Sequence, residues 1–154
     1  LQSMFRGINA INVDVKGRLS VPTRYRQRLV DTAQRHLVLT IDTESPCLLL
    51  YPLYAWEEIE AQIAALPSFN AAARRVQRLL LGHATEVDMD SHGRILLPPL
   101  LREYASLDRK VILLGQGKKF ELWNEEDWHK QREHWLNEGK GGDELPDDFL
   151  SISL

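Results

Sequence analysis

Hydrophobic residues along this chain fall into short runs and alternating patterns typical of β-strands, separated by stretches in which apolar residues recur at helical spacing. Strands are predicted at Gly7–Val13, Arg18–Val21, His36–Ile41, Cys47–Tyr51, His83–Met89, Arg94–Leu97, Lys110–Leu114 and Lys119–Trp123. Helices are predicted at Thr23–Leu29, Leu53–Ala65, Asn70–Leu81, Leu100–Ala105 and Glu125–Asn137. The order of elements in the first half recurs in the second, which predicts a β-rich α+β fold.

An internal duplication is visible in the residues themselves. The pattern D-x-x-G-R-ϕ-x-ϕ-P occurs at Asp14–Pro22 and again 76 positions later at Asp90–Pro98. Segments 48–56 (LLLYPLYAW) and 120–128 (FELWNEEDW) align at an offset of 72. Two related units in one chain explain both correspondences. The predicted organisation is a first repeat at 4–68, a connecting helix at 69–82, a second repeat at 83–138 and an acidic flexible tail at 139–154.

The repeated turn has a defined local chemistry. Its Asp (Asp14 or Asp90) can accept hydrogen bonds from backbone N–H groups two or three residues later in the chain. Its Gly (Gly17 or Gly93) can take the positive φ of a tight reversal. The arginine that follows either pairs with that Asp or points toward a partner. Two basic loops side by side suit a repetitive anionic partner such as double-stranded DNA, because arginine matches guanine or phosphate in a bidentate fashion.

Charge is distributed unevenly along the chain. The net charge is −3, but residues 1–40 hold seven Lys/Arg against two acids, and residues 121–154 hold three against ten. The sequence therefore predicts a basic front and an acidic tail. No apolar run approaches the roughly 20 residues of a membrane span, and there is no signal-peptide layout, so the expected compartment is the cytoplasm. The single cysteine, Cys47, is expected to be a buried thiol.

Motifs of enzymes do not occur in this sequence. The five histidines form no HExxH or Cys/His metal spacing, and there is no Walker loop, G-x-G-x-x-G or G-x-S-x-G. The segment Gly115–Gly117 (GQG) is interpreted as a hairpin turn rather than a phosphate cradle. We expect no catalytic site, no cofactor and no metal.

These residues together resemble the MraZ family, whose members carry two tandem AbrB/SpoVT-like repeats, each marked by D-x-x-x-R. The resemblance extends from Met4 to the C-terminal tail and includes 4–7 (MFRG), 17–22 (GRLSVP), 46–52 (PCLLLYP), 74–83 (RRVQRLLLGH) and 119–123 (KFELW). It implies two swapped-hairpin repeats of the double-split β-barrel type with flanking helices.

The resemblance also implies a function. Family members are bacterial transcriptional regulators, typically repressors, of the division and cell-wall gene cluster that includes their own gene. They form homo-oligomeric rings, bind short direct repeats near the promoter and associate with the nucleoid. The same role is therefore expected here, with DNA and further copies of the chain as partners.

Carried over by position, the family's DNA-contacting arginines fall on Arg18 and Arg94, and the loop cation falls on Lys16. The second loop departs from the first because His92 replaces the lysine, so the first loop is expected to attract phosphate more strongly.

Other arginines have two possible roles. Arg24 and Arg28 lie four apart on a predicted helix, where they either extend the basic surface or form an ordinary solvated face. For Arg74, Arg75 and Arg78, packing or subunit contacts are favoured over contact with DNA. The alternative to a DNA-binding protein is a protein-interaction module without DNA, either antitoxin-like or a ring scaffold.

Overall fold

The computed structural model describes residues 4–138 and 145–153. The elements in chain order are β1 (Phe5–Asn12), β2 (Arg18–Ser20), α1 (Thr23–Ala33), β3 (Leu37–Ile41), β4 (Leu48–Pro52), α2 (Leu53–Ala64), α3 (Ala71–His83), β5 (Thr85–Glu86), β6 (Arg94–Leu96), α4 (Pro99–Tyr104), β7 (Lys110–Gly117), β8 (Phe120–Asn124), α5 (Glu125–Glu138) and α6 (Asp147–Leu150). The predicted α+β class is confirmed.

The two halves of the chain interlock in one antiparallel sheet. Its strand order is β1-β7-β8-β4-β3-β5, so β1 pairs with β7 of the second half, and β5 pairs with β3 of the first. In the duplication β5 corresponds to β1, and β7 and β8 correspond to β3 and β4. Replacing each strand by its counterpart gives the same strand order read in the opposite direction. The remaining strands, β2 and β6, form a separate two-stranded ribbon. Neither half therefore completes its own sheet.

The main core lies between one face of the sheet and the layer made by the β2–β6 ribbon, α1 and α4. Leu19 and Ile95 of the ribbon are 0% and 1% exposed, and Tyr25, Leu29 and Leu101 of the two helices are buried with them. The opposite face of the sheet carries two smaller clusters, in which α2 and α5 supply Trp56 and Trp128 in particular. Because helices or ribbon cover both faces, β3 and β4 are apolar along almost their entire length.

Local signals explain where the helices begin and end. The Asn70 side chain accepts hydrogen bonds from the N–H groups of Ala72 and Ala73, which caps α3 at its start. Helix α1 runs four residues beyond its predicted end, to Ala33, because Gln34 there adopts the left-handed conformation that closes it.

Two strands depart most from their predicted boundaries. The strand expected at His83–Met89 begins later, because α3 continues through His83 and only Thr85–Glu86 form regular β5. The N–H groups of Val87 and Met89 still donate to β3 and the residues before it, so the extended run continues irregularly.

The second boundary concerns the predicted Gly-Gln-Gly turn. Strand β7 runs through Gly117, and the reversal to β8 uses Gly117 and Lys118, so the turn lies slightly later than expected. Gly115 belongs to the strand because β1 passes close to it: a Cβ at Gly115 would lie 2.5 Å from the Cα of Arg6. Close backbone approach, rather than a turn, requires that glycine.

Part of the predicted flexible tail lies outside the described residues, namely 139–144 and Leu154. Within its described part, Asp147–Leu150 form one helical turn, α6. Among the described residues, no helix has both the length and the apolar character needed to cross a membrane.

Candidate nucleic-acid interface

The two D-x-x-G-R loops are built in the same way. In the first loop, one carboxylate oxygen of Asp14 accepts the N–H groups of Lys16 and Arg18, each at 2.9 Å. Its other oxygen accepts Nε–H of Arg18 at 2.8 Å. In the second loop, Asp90 accepts the N–H groups of His92 and Arg94 at 2.8 and 2.9 Å and Nε–H of Arg94 at 3.2 Å.

These hydrogen bonds stabilise the charged form of both carboxylates. The pKa of Asp14 is lowered chiefly by the backbone N–H of Arg18, and the pKa of Asp90 chiefly by the backbone N–H of Arg94. The glycines have φ values of +83° at Gly17 and +78° at Gly93, as predicted for the reversal. Asp and Gly therefore shape each loop.

The ribbon places both arginines on one surface. In the β2–β6 register Arg18 lies opposite Leu96 and Ser20 opposite Arg94, with Leu19 and Ile95 paired between them. Since side chains alternate across a strand and opposed residues share a face, the buried pair faces the core and the arginines face outward. Arg18 and Arg94 are diagonal neighbours, for which the separation is about 7–8 Å.

Each arginine retains hydrogen-bonding capacity. The Asp–Arg pair uses Nε, and within residues 4–138 and 145–153 the terminal Nη groups of Arg18 and Arg94 donate to no protein acceptor. Their side chains are 30% and 31% exposed. The two roles considered for the arginine are therefore compatible: it pairs with Asp and keeps free donors on the surface.

The loops are also linked across the halves of the chain. The N–H of Val21 donates to the carbonyl of Gly93 at 2.8 Å, and the N–H of Leu97 donates to the carbonyl of Gly17 at 2.9 Å. The residue that directly follows each ribbon strand thus donates a backbone hydrogen bond to the loop of the other half.

Arg26 and Arg102, two residues that the sequence analysis did not single out, strengthen this link. Arg26 of α1 packs against Gly93 and donates Nε–H to the carbonyl of Val21 at 2.6 Å. Arg102 of α4 packs against Gly17 of the first loop. The signal that would have found them is the repeat offset itself, because 26 and 102 are 76 apart.

The loop tips are exposed to solvent. Val15 is fully exposed at the first tip, and Lys16 and His92 are exposed at equivalent positions in the two loops. A groove lined by residues including Lys16 and Arg102 runs beside Pro98 and Pro99. The side chains that differ between the two loops, Lys16 and His92, are therefore both accessible to a binding partner.

The structure does not bring Arg24 and Arg28 to these loops. Arg24 donates an Nη hydrogen to the Asn9 side chain at 2.6 Å, and Arg28 donates one to the carbonyl of Met4 at 2.8 Å. Both lie along the first part of β1. Asn9, which accepts the Arg24 hydrogen bond, precedes Asp14 by five residues, or roughly 16 Å of extended chain.

One group of side chains has potential metal ligands. Atoms of Asp42, Cys47 and Glu121 lie within 4.8 Å of one another. They already have partners, since the Cys47 thiol contacts Asp42 at 3.8 Å and Glu121 accepts Nε1–H of Trp123 at 2.9 Å. Burial also raises the pKa of the Cys47 thiol, which disfavours the thiolate that a metal requires.

The fold and the loops define a class of protein: a duplicated α+β chain whose halves interlock and present two arginine loops from one ribbon. Comparison with known proteins identifies the family. Residues 4–79 and 80–140 each match the MraZ protein family, whose description also carries an antitoxin-like label. The chain belongs to the MraZ family.

Similar proteins cover the chain almost completely. The transcriptional regulator MraZ of Legionella pneumophila strain Corby is 56% identical over 152 residues, which is 98% of this chain and 100% of the relative. That of Coxiella burnetii strain RSA 493 is 55% identical with the same coverage. That of Hydrogenovibrio crunogenus is 52% identical over 97% of this chain and 98% of the relative. The resemblance inferred from the motifs is confirmed, and it places the chain in a family of transcriptional regulators.

Proposed function

We propose that this chain is a sequence-specific DNA-binding transcriptional regulator, and that its DNA contact is the exposed face of the β2–β6 ribbon. The observation that carries the proposal is the placement of Arg18 and Arg94 on that face as diagonal neighbours. Each has an Nε held by its own Asp and Nη groups without a protein acceptor in the described residues.

The geometry suits direct contact with a duplex. A two-stranded β-ribbon fits the major groove of B-form DNA, and an arginine there donates two hydrogen bonds to guanine O6 and N7. Holding Nε on a carboxylate limits the positions open to the guanidinium before DNA arrives, which lowers the entropic cost of ordering it. Arg18 and Arg94 are the proposed base contacts.

The residues beside the ribbon have supporting roles in this proposal. Lys16 and His92, at the exposed loop tips, contact phosphates, and Lys16 contributes more because its ammonium group offers three N–H donors. Arg26 and Arg102 hold the two loops in position from the helices of the opposite halves. Asp14, Gly17, Asp90 and Gly93 shape the loops rather than touch DNA.

The proposed regulatory role is the one expected from the family. We propose that the chain acts in the cytoplasm, on the nucleoid, as a repressor of the division and cell-wall gene cluster that includes its own gene. A ring of identical subunits supplies several ribbons to successive short direct repeats near the promoter. Linked contacts raise the effective concentration of each further contact, so binding is tight overall and depends steeply on salt.

The experiment is a mobility-shift titration and footprint on DNA from upstream of the protein's own gene. The wild-type protein is expected to retard this DNA and protect repeated short sites. Lys16→Ala is expected to reduce the salt dependence by about one counterion per contact, with little change in sequence preference. Absence of any shift at low salt would contradict the proposal and favour a protein-interaction module without DNA.

A further inference from the structure

A surface cavity of about 450 Å³ lies at the start of β1, and none of the described residues that line it belongs to the two loops. It is lined by Met4, Arg6, Arg24, Tyr25 and Arg28. Among the described residues that line it, every charged one is an arginine and none is a carboxylate. The cavity therefore gathers three positive charges in one concave surface.

Two of these guanidinium groups are fixed in place. The Arg24 guanidinium lies 4.8 Å from the centre of the Tyr25 ring, and that of Arg28 lies 4.8 Å from the Phe5 ring and 5.6 Å from the Tyr25 ring. Their hydrogen bonds to Asn9 and to the Met4 carbonyl engage neutral acceptors. Aromatic faces and neutral oxygens orient these cations but leave their charge uncompensated.

No carboxylate compensates them from elsewhere in the described chain. Among residues 4–138 and 145–153, Arg6, Arg24 and Arg28 have no acidic oxygen within 4.0 Å. Like charges held together repel one another, and the repulsion is stronger beside a low-dielectric aromatic surface than in open water. An anion in the cavity would remove this repulsion.

The duplication shows that the cluster is not a by-product of the fold. At the repeat offset of 76, the counterparts of Arg6, Arg24 and Arg28 are Gly82, Leu100 and Tyr104. Helix α4, the counterpart of α1, carries neither of the two helix cations, so this helix packs without them; Gly82 lies in α3, so a helix stands in the second half where the first has the start of β1. Their presence in one half only indicates a role in binding.

We propose that Arg6, Arg24 and Arg28 form a binding site for a phosphoryl anion, separate from the ribbon. Arginine is the side chain best matched to phosphate oxygens, because its planar fork donates two parallel hydrogen bonds. The phosphoryl group belongs either to a small free ligand or to the backbone of DNA that extends past the ribbon. The site stands independently of the proposed DNA contact by Arg18 and Arg94.

The first arm of the test uses inorganic phosphate alone. Thermal unfolding is followed as phosphate replaces chloride at constant ionic strength, for the wild type, Arg6→Gln and Arg132→Gln. Arg6 and Arg132 are both exposed, so neither change should unfold the chain, and each removes one positive charge. A saturable rise in Tm is expected for the wild type and Arg132→Gln, with binding weakened about tenfold in Arg6→Gln.

The second arm distinguishes the source of the phosphoryl group. Affinity for duplex DNA is measured against salt concentration for the same three proteins. A salt slope lowered by about one only in Arg6→Gln identifies the DNA backbone as the ligand, whereas an unchanged slope together with a phosphate effect identifies a free ligand. Arg24→Gln is expected to repeat the result. If Arg6→Gln behaves like Arg132→Gln in both arms, the site does not exist.

Discussion

Replacing Gly93 with alanine tests the contact between one loop and the helix of the other half. Gly93 has φ +78°, and a Cβ there would lie 2.2 Å from Nε and 2.5 Å from Cδ of Arg26. That Nε–H donates to the carbonyl of Val21 at 2.6 Å. A methyl group therefore forces both a strained backbone and the departure of Arg26 from its hydrogen bond.

The expected loss of stability combines these two effects. A left-handed conformation costs an L-residue about 1–2 kcal/mol, and a typical intramolecular hydrogen bond contributes about 0.5–1.5 kcal/mol. Gly93→Ala is thus expected to lower the free energy of unfolding by about 1.5–3.5 kcal/mol. Urea unfolding followed by tryptophan fluorescence measures this as a lower midpoint with an unchanged m-value.

Gly82→Ala is the matched control. Gly82 lies in α3, and a Cβ there would meet no atom within 4 Å. The same chemical change is expected to stabilise the protein by about 0.5–1 kcal/mol, because alanine is the better helix former. In the double variant Gly93→Ala/Arg26→Ala, removal of the obstructing side chain should make the losses less than additive. Equal effects of Gly93→Ala and Gly82→Ala would refute the cross-half contact.

Three further predictions concern acid, thiol chemistry and the core. The lowered pKa values of Asp14 and Asp90 mean that their contribution to stability is complete above the unfolded pKa of about 3.9 and is lost as pH falls through the folded value. Asp14→Asn should therefore lose less stability than the wild type between about pH 5 and about pH 2.5 in acid unfolding. Burial raises the pKa of the Cys47 thiol, so it should resist Ellman's reagent at about pH 8 until urea unfolds the chain; rapid reaction of the folded protein would contradict its burial. Leu19→Ala should cost about 2–5 kcal/mol because Leu19 is 0% exposed, whereas Leu100→Ala at a site 64% exposed should change the unfolding free energy by less than about 0.5 kcal/mol.

The loops could be predicted from the sequence because their chemistry is local. Asp14 and its bonding partners lie within four residues of one another, and the same holds for Asp90. An Asp acceptor followed by a Gly with positive φ specifies such a turn without help from the rest of the chain. Most helix and strand positions were predictable for a similar reason, since periodicity depends on near neighbours.

The pairing of the strands could not be predicted in this way. Strand β2 follows β1 through a tight turn, which favours a hairpin with β1. In the part of the chain that the structure describes, however, the pairing is limited to an isolated bridge between Val13, just after β1, and Leu19. Strand β2 pairs instead with β6, far away in sequence, because this buries Leu19 and Ile95 together. The alternation pattern gives each strand a buried face but does not specify its partner.

The grouping of the arginines in the candidate site could not be predicted from the sequence either. Sequence reasoning named Arg18 and Arg94 but not the common face that holds them. It left Arg24 and Arg28 either extending the basic surface or on a solvated helix face, and did not show that they lie along β1. The separation along β1 emerges only when the strand is seen to be extended from Phe5 to Asn12. Spacing along the chain therefore identified the arginines, and tertiary pairing determined how they are grouped.

The most direct test of DNA binding by the ribbon is an anisotropy titration of labelled duplexes carrying either the footprinted repeats or random sequence. Arg18→Ala and Arg94→Ala should each weaken binding to the repeats by about 5-fold to 150-fold, or about 1–3 kcal/mol, with a much smaller loss on random DNA. Arg132→Ala, which removes the same charge from α5, should bind both duplexes as the wild type does. Equal losses on repeat and random DNA, or wild-type affinity in both ribbon variants, would contradict base contact by these arginines.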